Sequence, residues 1–217
     1  MAIKAAIFDM DGLLLDSERI CMTAYLEAGR IVGHEVNPEV YLQCIGSNDK
    51  KTREILINGH GEDYPYEEIY KCWKKLYLKE SLEKPMPLKA GVVDFLHKIQ
   101  ASGIPMGVAT STHSELAITK LKNAELFDYF NFVIAGDQVE NGKPHPEIYQ
   151  TAAEKHGVSA SHCMAFEDSE NGVRAALAAG INVIQVPDIV IPSKEVKAMG
   201  HRIVESLAHI EWPVEHW

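Results

Sequence analysis

Residues 2–12, AIKAAIFDMDG, decide how the rest of the chain is read. From Ala2 to Phe8 almost every residue is apolar, and the run stops abruptly at acid. That pattern predicts a strand buried on both faces inside a sheet, not an alternating, half-exposed one. Asp9 and Asp11 stand two residues apart where the strand runs out. Extended backbone there aims both carboxylates to the same side, so one can attack or bind metal while the other handles protons. Asp11-Gly12 between apolar runs is also a good hairpin signal. A hairpin placed after the acids does not contradict catalysis.

Further apolar runs end in the same way. Met106-Gly107-Val108-Ala109 precedes Thr110, Phe132-Val133-Ile134-Ala135 precedes Gly136-Asp137, Cys163-Met164-Ala165-Phe166 precedes Glu167-Asp168, and Val183-Ile184-Gln185-Val186 precedes Pro187-Asp188. Helical patterns lie between them: Val92, Val93, Leu96 and Ile99 closed by Gly103; Ile148, Ala152 and Ala153 closed by Gly157; Asn171 through Ala175, Ala176 and Ala179 to Gly180. This alternation predicts an α/β fold, a Rossmann-like, doubly wound parallel sheet with helices on both faces. Ligands of such sheets sit beyond the carboxyl ends of the strands, where the polar residues that close each run converge.

The stretch from Asp16 to about Lys84 breaks the alternation and carries only helical periods: Ile20, Ala24 and Ala28; an Asn37-Pro38 start; Ile55 and Leu56; Ile69, Trp73, Leu76 and Tyr77. Pro85-Met86-Pro87 punctuates the return. The expected organisation is a core of residues 1–15 plus 85–217 and an inserted all-helical cap of residues 16–84, hinged where the chain crosses twice. Helical spacing assigns Trp73 and the tyrosines to the cap's own core in preference to a substrate stripe.

A chain of 217 residues buries a real core, and 46% hydrophobic with 24% charged residues is ordinary globular composition. The net charge of −10 argues against a nucleic-acid surface, while a small phosphorylated ligand needs only local positive groups and a metal. Cys21, Cys44, Cys72 and Cys163 show no paired spacing. The first apolar run is too short for a signal peptide or a membrane span. The expectation is a cytoplasmic, membrane-free monomer, with Trp212 and Trp217 docked on the core and His216 a tail residue.

The remaining motifs each carry two readings. Glu167-Asp168-Ser169 stands between an apolar run and a helix, so Asp168 or Ser169 can be a helix cap. Asp9, Glu167 and Asp168 together also supply the oxygens that magnesium wants, and the two roles can coexist. Thr110-Ser111-Thr112 offers hydroxyls and backbone N–H groups to an anion at a helix start, or a cap to that helix. Lys143, in Gly142-Lys143-Pro144-His145-Pro146, is a surface charge or a cation beside a rigid turn that stabilises a phosphoryl group.

In this order, Asp9-Met10-Asp11-Gly12, Thr110, Lys143 and Glu167-Asp168-Ser169 resemble the four motifs of the haloacid dehalogenase-like hydrolase superfamily. The early helical insertion is similar to the cap of the branch holding sugar-phosphate phosphatases and beta-phosphoglucomutase. The resemblance implies Asp9 as nucleophile, Asp11 as general acid and base, and Thr110 and Lys143 as holders of the transferring phosphate. It also implies magnesium bound by the Asp9, Glu167 and Asp168 carboxylates and the Asp11 backbone carbonyl. Another branch has a further metal-site aspartate where this chain has Gly172, which leaves Glu167 to supply that charge.

The expected activity is therefore hydrolysis of a small phosphomonoester, a sugar phosphate or similar metabolite. A mutase of the beta-phosphoglucomutase type is the alternative. Leu15-Asp16-Ser17-Glu18 resembles the cap start of the phosphatases, and no histidine stands between Asp11 and His34, where those mutases tend to carry one. Glu18 and Ser111 are the candidate substrate-binding residues, Glu18 being equally able to stabilise a helix N-terminus. A dehalogenase does not need Asp11, and a phospho-acceptor receiver has no place for a helical cap.

Overall fold

Apolar runs covered on both sides can satisfy their backbone only by pairing with one another, and here they do so in parallel. In the computed structural model, which describes residues 2–47 and 49–214, the strands are β1 (Ala5–Phe8), β2 (Met106–Ala109), β3 (Phe132–Ile134), β4 (Cys163–Glu167), β5 (Asn182–Gln185) and β6 (Arg202–Ile203). They form one sheet in the order β3-β2-β1-β4-β5-β6, with every pairing parallel. The chain winds outward in both directions from β1 and β4. Those two strands are neighbours at the point where the winding reverses, the place where open α/β sheets bind ligands.

The helices are α1 (Ser17–Val32), α2 (Pro38–Leu42), α3 (Asp49–His60), α4 (Tyr66–Glu83), α5 (Val92–Ala101), α6 (Ser114–Asn123), α7 (Glu147–His156), α8 (Glu170–Ala178) and α9 (Lys194–Lys197). Phe8, Phe95, Leu96, Val108, Leu121 and Phe166 fill one face of the sheet. Ala5, Ile7, Ile148, Tyr149, Ala165 and Val173 fill the other. Together they form the α/β, Rossmann-like core.

Helices α1 to α4 carry a hydrophobic cluster of their own, built on Tyr25, Tyr41, Leu56, Ile69 and Trp73. Asn37 starts α2 by accepting the Glu39 N–H on its side-chain oxygen, with Pro38 in the first turn. The inserted unit is all-helical and reaches the core through two chain segments that lie side by side. Across them the Asp16 N–H donates to the Pro87 carbonyl and the Lys89 N–H to the Leu14 carbonyl, at 2.8 and 3.0 Å.

The sixth strand has no counterpart among the apolar runs: Arg202 and Ile203 are both exposed, and only pairing with β5 makes them a strand. Trp212 packs on Phe95 and Phe166 and donates its indole N–H to Ser102 Oγ. Trp217 and His216 lie outside the described residues. Among the described residues no helix is long and apolar enough to cross a membrane.

Candidate active site

The chain leaves β1 at Asp9, whose N–H still donates to the Phe166 carbonyl of β4 at 3.0 Å. This last rung seats Asp9 level with Glu167 and Asp168. Immediately afterwards the backbone turns tightly. The Leu14 and Leu15 N–H groups both donate to the Met10 carbonyl, and Gly12 adopts φ 87°. A side chain at Gly12 would be strained by that dihedral and would also collide with the Asp168 carboxylate. The hairpin signal in Asp11-Gly12 is thus a tight turn that leaves room for the Asp168 carboxylate against its backbone.

Asp9, Asp11, Glu18, Thr110, Ser111, Lys143 and Asp168 all line one cavity of about 1030 Å³ between the core and the helical unit. Glu167 lies just behind its floor and is fully buried. One carboxylate oxygen from each of Asp9, Glu167 and Asp168 falls within 4.8 Å of the others. Three acids so close repel one another, and burial adds to the penalty on their charged forms.

Among the described residues, Lys143 is the ammonium that reaches this cluster. It donates to Asp9 Oδ1 at 2.5 Å, to Glu167 Oε1 at 2.6 Å and to the Ala109 carbonyl at 2.9 Å, which uses all three of its protons. The reciprocal burial and pairing hold Lys143 protonated: burial alone lowers its affinity for a proton, but Asp9 and Glu167 more than reverse that. Asp9 is nonetheless pushed well above its ordinary value, first by burial and then by the Glu167 charge, against the pull of Lys143. Asp168 is pushed up likewise, by burial and then by Asp9 and Glu167.

A divalent cation fits this donor set. Clustered oxygens with too little positive charge are what magnesium coordinates, and the glycine at position 172 leaves room for the third acid. A Cβ at Gly172 would overlap the Glu167 carboxylate. Glu167 is also the most restrained of the three. Oε1 accepts from Lys143 and from the Tyr149 hydroxyl, and Oε2 from the N–H groups of Asp168 and Ser169 and the Ser169 hydroxyl. Ser169 in addition caps α8 by accepting the Gly172 N–H at 3.1 Å, so cap and carboxylate cluster share the same three residues.

Asp11 sits in a different environment from Asp9. Its Oδ1 accepts from Ser17 Oγ at 2.6 Å and Lys120 Nζ at 2.7 Å, and its Oδ2 from Thr112 Oγ1 at 2.6 Å. Burial pushes its pKa up, but the Lys120 ammonium and these hydrogen bonds outweigh burial and leave it below the ordinary value. The two aspartates therefore differ in proton affinity, Asp9 raised by burial and the Glu167 charge and Asp11 lowered by Lys120 and its hydroxyl partners.

Thr110 is buried at the end of β2, its hydroxyl accepting the Thr112 N–H at 3.1 Å. Glu18, on α1, faces the cavity with the Tyr41 hydroxyl donating to its Oε2 at 3.3 Å. Burial first, and then the charge of Asp11, raise Glu18 to about 7. Trp73 is buried in the cluster of the helical unit and donates to the Cys21 carbonyl, yet with Tyr70 and Tyr77 it also forms a wall of the cavity.

Sequence alone does not assign Ser17, Thr112 and Lys120 to Asp11, or Tyr149 to Glu167. Ser17 and Thr112 stand beside residues it singled out. Tyr149 and Lys120 carry no local signal, because their partners come from remote parts of the chain.

A profile of the family described as haloacid dehalogenase-like hydrolase matches residues 6–186. A phosphatase of phosphorylated carbohydrates from Thermotoga maritima is 32% identical over 187 residues, covering 84% of this chain and 84% of its own. Among solved structures, CbbY from Rhodobacter sphaeroides in complex with phosphate is similar with a TM-score of 0.78 and 27% identity, covering 95% of this chain and 96% of that one. The beta-phosphoglucomutase of Clostridium difficile shares the fold, with a TM-score of 0.79 at 21% identity over 97% of this chain and 94% of that one.

Proposed function

Because the chain belongs to the haloacid dehalogenase-like hydrolase family and is one of its phosphomonoester hydrolases, we propose that it hydrolyses a small phosphomonoester, a sugar phosphate or similar metabolite, through a phosphoaspartyl intermediate on Asp9 with magnesium as cofactor. The observation that carries this reading is the Asp9 carboxylate on the cavity floor, bound by Lys143 and grouped with Asp168 and Glu167. Asp9, Glu167 and Asp168 would hold the cation, joined by the Asp11 main-chain carbonyl. When bound, magnesium supplies the positive charge that allows a carboxylate to approach a phosphate dianion.

In the first half-reaction an Asp9 oxygen bonds to phosphorus, the phosphorus–oxygen bond to the leaving group breaks, and Asp11 gives its proton to that oxygen. In the second, Asp11 takes a proton from water, the water oxygen bonds to phosphorus, and the bond to Asp9 breaks to release phosphate. Splitting one difficult displacement into two eases each. Asp11 is held here in its ionised form, the one the second half-reaction uses. Arrival of a phosphate dianion raises its proton affinity, since like charge favours the neutral form.

Lys143 keeps positive charge beside the transferring group, and Thr110 and Ser111 offer donors to its oxygens. Residues 16–84 act as a cap over a core of residues 1–15 and 85–217, moving on the paired segments around Asp16 and Lys89 and excluding water when seated. A cavity lined by Tyr70, Trp73 and Tyr77 together with the Glu18 carboxyl suits a compact, hydroxylated leaving group.

The test is phosphate release from a panel of sugar and other metabolite phosphates with magnesium, run beside Asp9→Asn. Turnover by the wild type that the variant lacks is expected. No release from any member of the panel refutes the proposal. Conversion of beta-glucose 1-phosphate to glucose 6-phosphate without net phosphate loss replaces hydrolysis by the mutase reaction.

A further inference from the structure

Lys120 is buried as few lysines are. It lies on α6 beside the core residues Ala117 and Leu121, and its side chain is 1% exposed. Its ammonium donates to Asp11 Oδ1 at 2.7 Å and to the Tyr77 hydroxyl at 2.5 Å, 4.9 Å from the centre of the Tyr77 ring. Taking an ammonium out of water costs several kcal/mol unless a counter-charge in good geometry offsets it. Asp11 is that counter-charge, and a Leu or Met would fill the same space without the penalty. Packing therefore does not account for a lysine here.

The origin of the three donors to Asp11 adds a second observation. Thr112 belongs to the core loop after β2, and Ser17 opens the first cap helix. Lys120 belongs to the core but is braced by Tyr77 from α4 of the cap. Two of the three holds on the proposed proton carrier thus depend on where the cap sits.

We propose that Lys120 is a positioning residue for Asp11, aiming its carboxylate at the phosphoryl-transfer site and, through Tyr77, tying that aim to the seating of the cap. This rests on the acid–base reading of Asp11 given above. Without the ammonium, Asp11 keeps two hydroxyl donors among the described residues, each able to rotate. Misplacement of a reacting group by about 1 Å lowers rates on the order of 10²-fold.

The test compares wild type, Lys120→Met, Lys120→Arg and Tyr77→Phe on two aryl esters. The p-nitrophenyl phosphate leaving group departs without a proton, whereas that of phenyl phosphate needs one. For Lys120→Met the expected result is a burst of about one nitrophenolate per site followed by slow turnover, because both proton transfers through Asp11 are misaimed but only the second limits this ester. With phenyl phosphate kcat falls about 10²-fold while KM stays within a few-fold. Tyr77→Phe shows the same pattern more weakly, and Lys120→Arg, which keeps a cation, recovers part of the loss. A folded Lys120→Met with wild-type turnover, or one that loses rate equally on both esters without a burst, overturns the assignment. Should Lys120→Met not fold, Tyr77→Phe decides by the same readouts. A wild type inactive on every phosphoester overturns the phosphatase reading and this assignment together, whereas an unaffected variant of an active wild type removes Lys120 alone.

Discussion

Replacing Gly172 with alanine sets two effects of opposite sign against each other. Alanine is the better helix former, and in the middle of a helix the exchange favours folding by roughly 1 kcal/mol. Gly172 lies in the first turns of α8, and a Cβ there would occupy the space of the Glu167 carboxylate, overlapping both oxygens and the carbon between them. Glu167 cannot step aside cheaply. Lys143, Tyr149, Ser169 and the backbone N–H of Asp168 all hold it. Overpacking a core costs about 1–3 kcal/mol, and each charge-assisted hydrogen bond broken about 1.5–3 kcal/mol. With one such bond lost, the steric and polar costs exceed the propensity gain, for a net destabilisation of about 1.5–5 kcal/mol. At about 2–4 °C per kcal/mol for a chain of this size, thermal unfolding should begin at least about 3 °C lower. The measurement is thermal and urea denaturation of wild type and Gly172→Ala in chelator, where no cation contributes. Equal or greater stability of the variant would show that Glu167 moves freely and refute the picture of a rigid acid cluster.

Lys143→Met should cost about 3–5 kcal/mol at neutral pH, because it strands buried carboxylates without their ammonium. The loss should shrink in acid, where Asp9 and Asp168 are protonated, as urea titrations at two pH values would reveal. Magnesium at a hundredfold excess over its dissociation constant should add about 2.7 kcal/mol to the stability of the wild type. Asp168→Asn should abolish that increment in a thermal-shift titration, and an unchanged increment would place the cation elsewhere. Glu18, raised from 4.5 to about 7 by burial and then by Asp11, binds its proton more tightly folded than unfolded. That contribution is full below 4.5 and disappears as pH rises through about 7. Glu18→Gln should therefore gain stability relative to wild type as pH rises across that window, and a flat difference would count against a buried Glu18.

Among the described residues, five of the six strands were legible as apolar runs: β1, β2 and β4 are buried throughout, and β3 and β5 keep enough apolar residues beside them to show the same pattern. β6 was not: two exposed residues carry no pattern, and the free edge of β5 alone defines them. The helical insertion was legible from its period, and the acids from their places at strand ends. The wall formed by Tyr70, Trp73 and Tyr77 was assigned to the cap interior. In the fold these residues serve the cap cluster and the cavity at once, a double use that helical spacing cannot distinguish.

What the sequence determined by itself is the set of local choices: which apolar runs are strands, where each of those stops, and which reactive side chain stands at each stop. Those follow from periodicity and burial over a few residues. Only the tertiary structure decided what holds the reactive groups. Lys120 meets Asp11 across 109 positions, and Tyr149 meets Glu167 from another element. A helical lysine or tyrosine in sequence looks the same whether water or a buried carboxylate accepts its hydrogen bond. The difference is made by desolvation, which depends on every element packed around the pair.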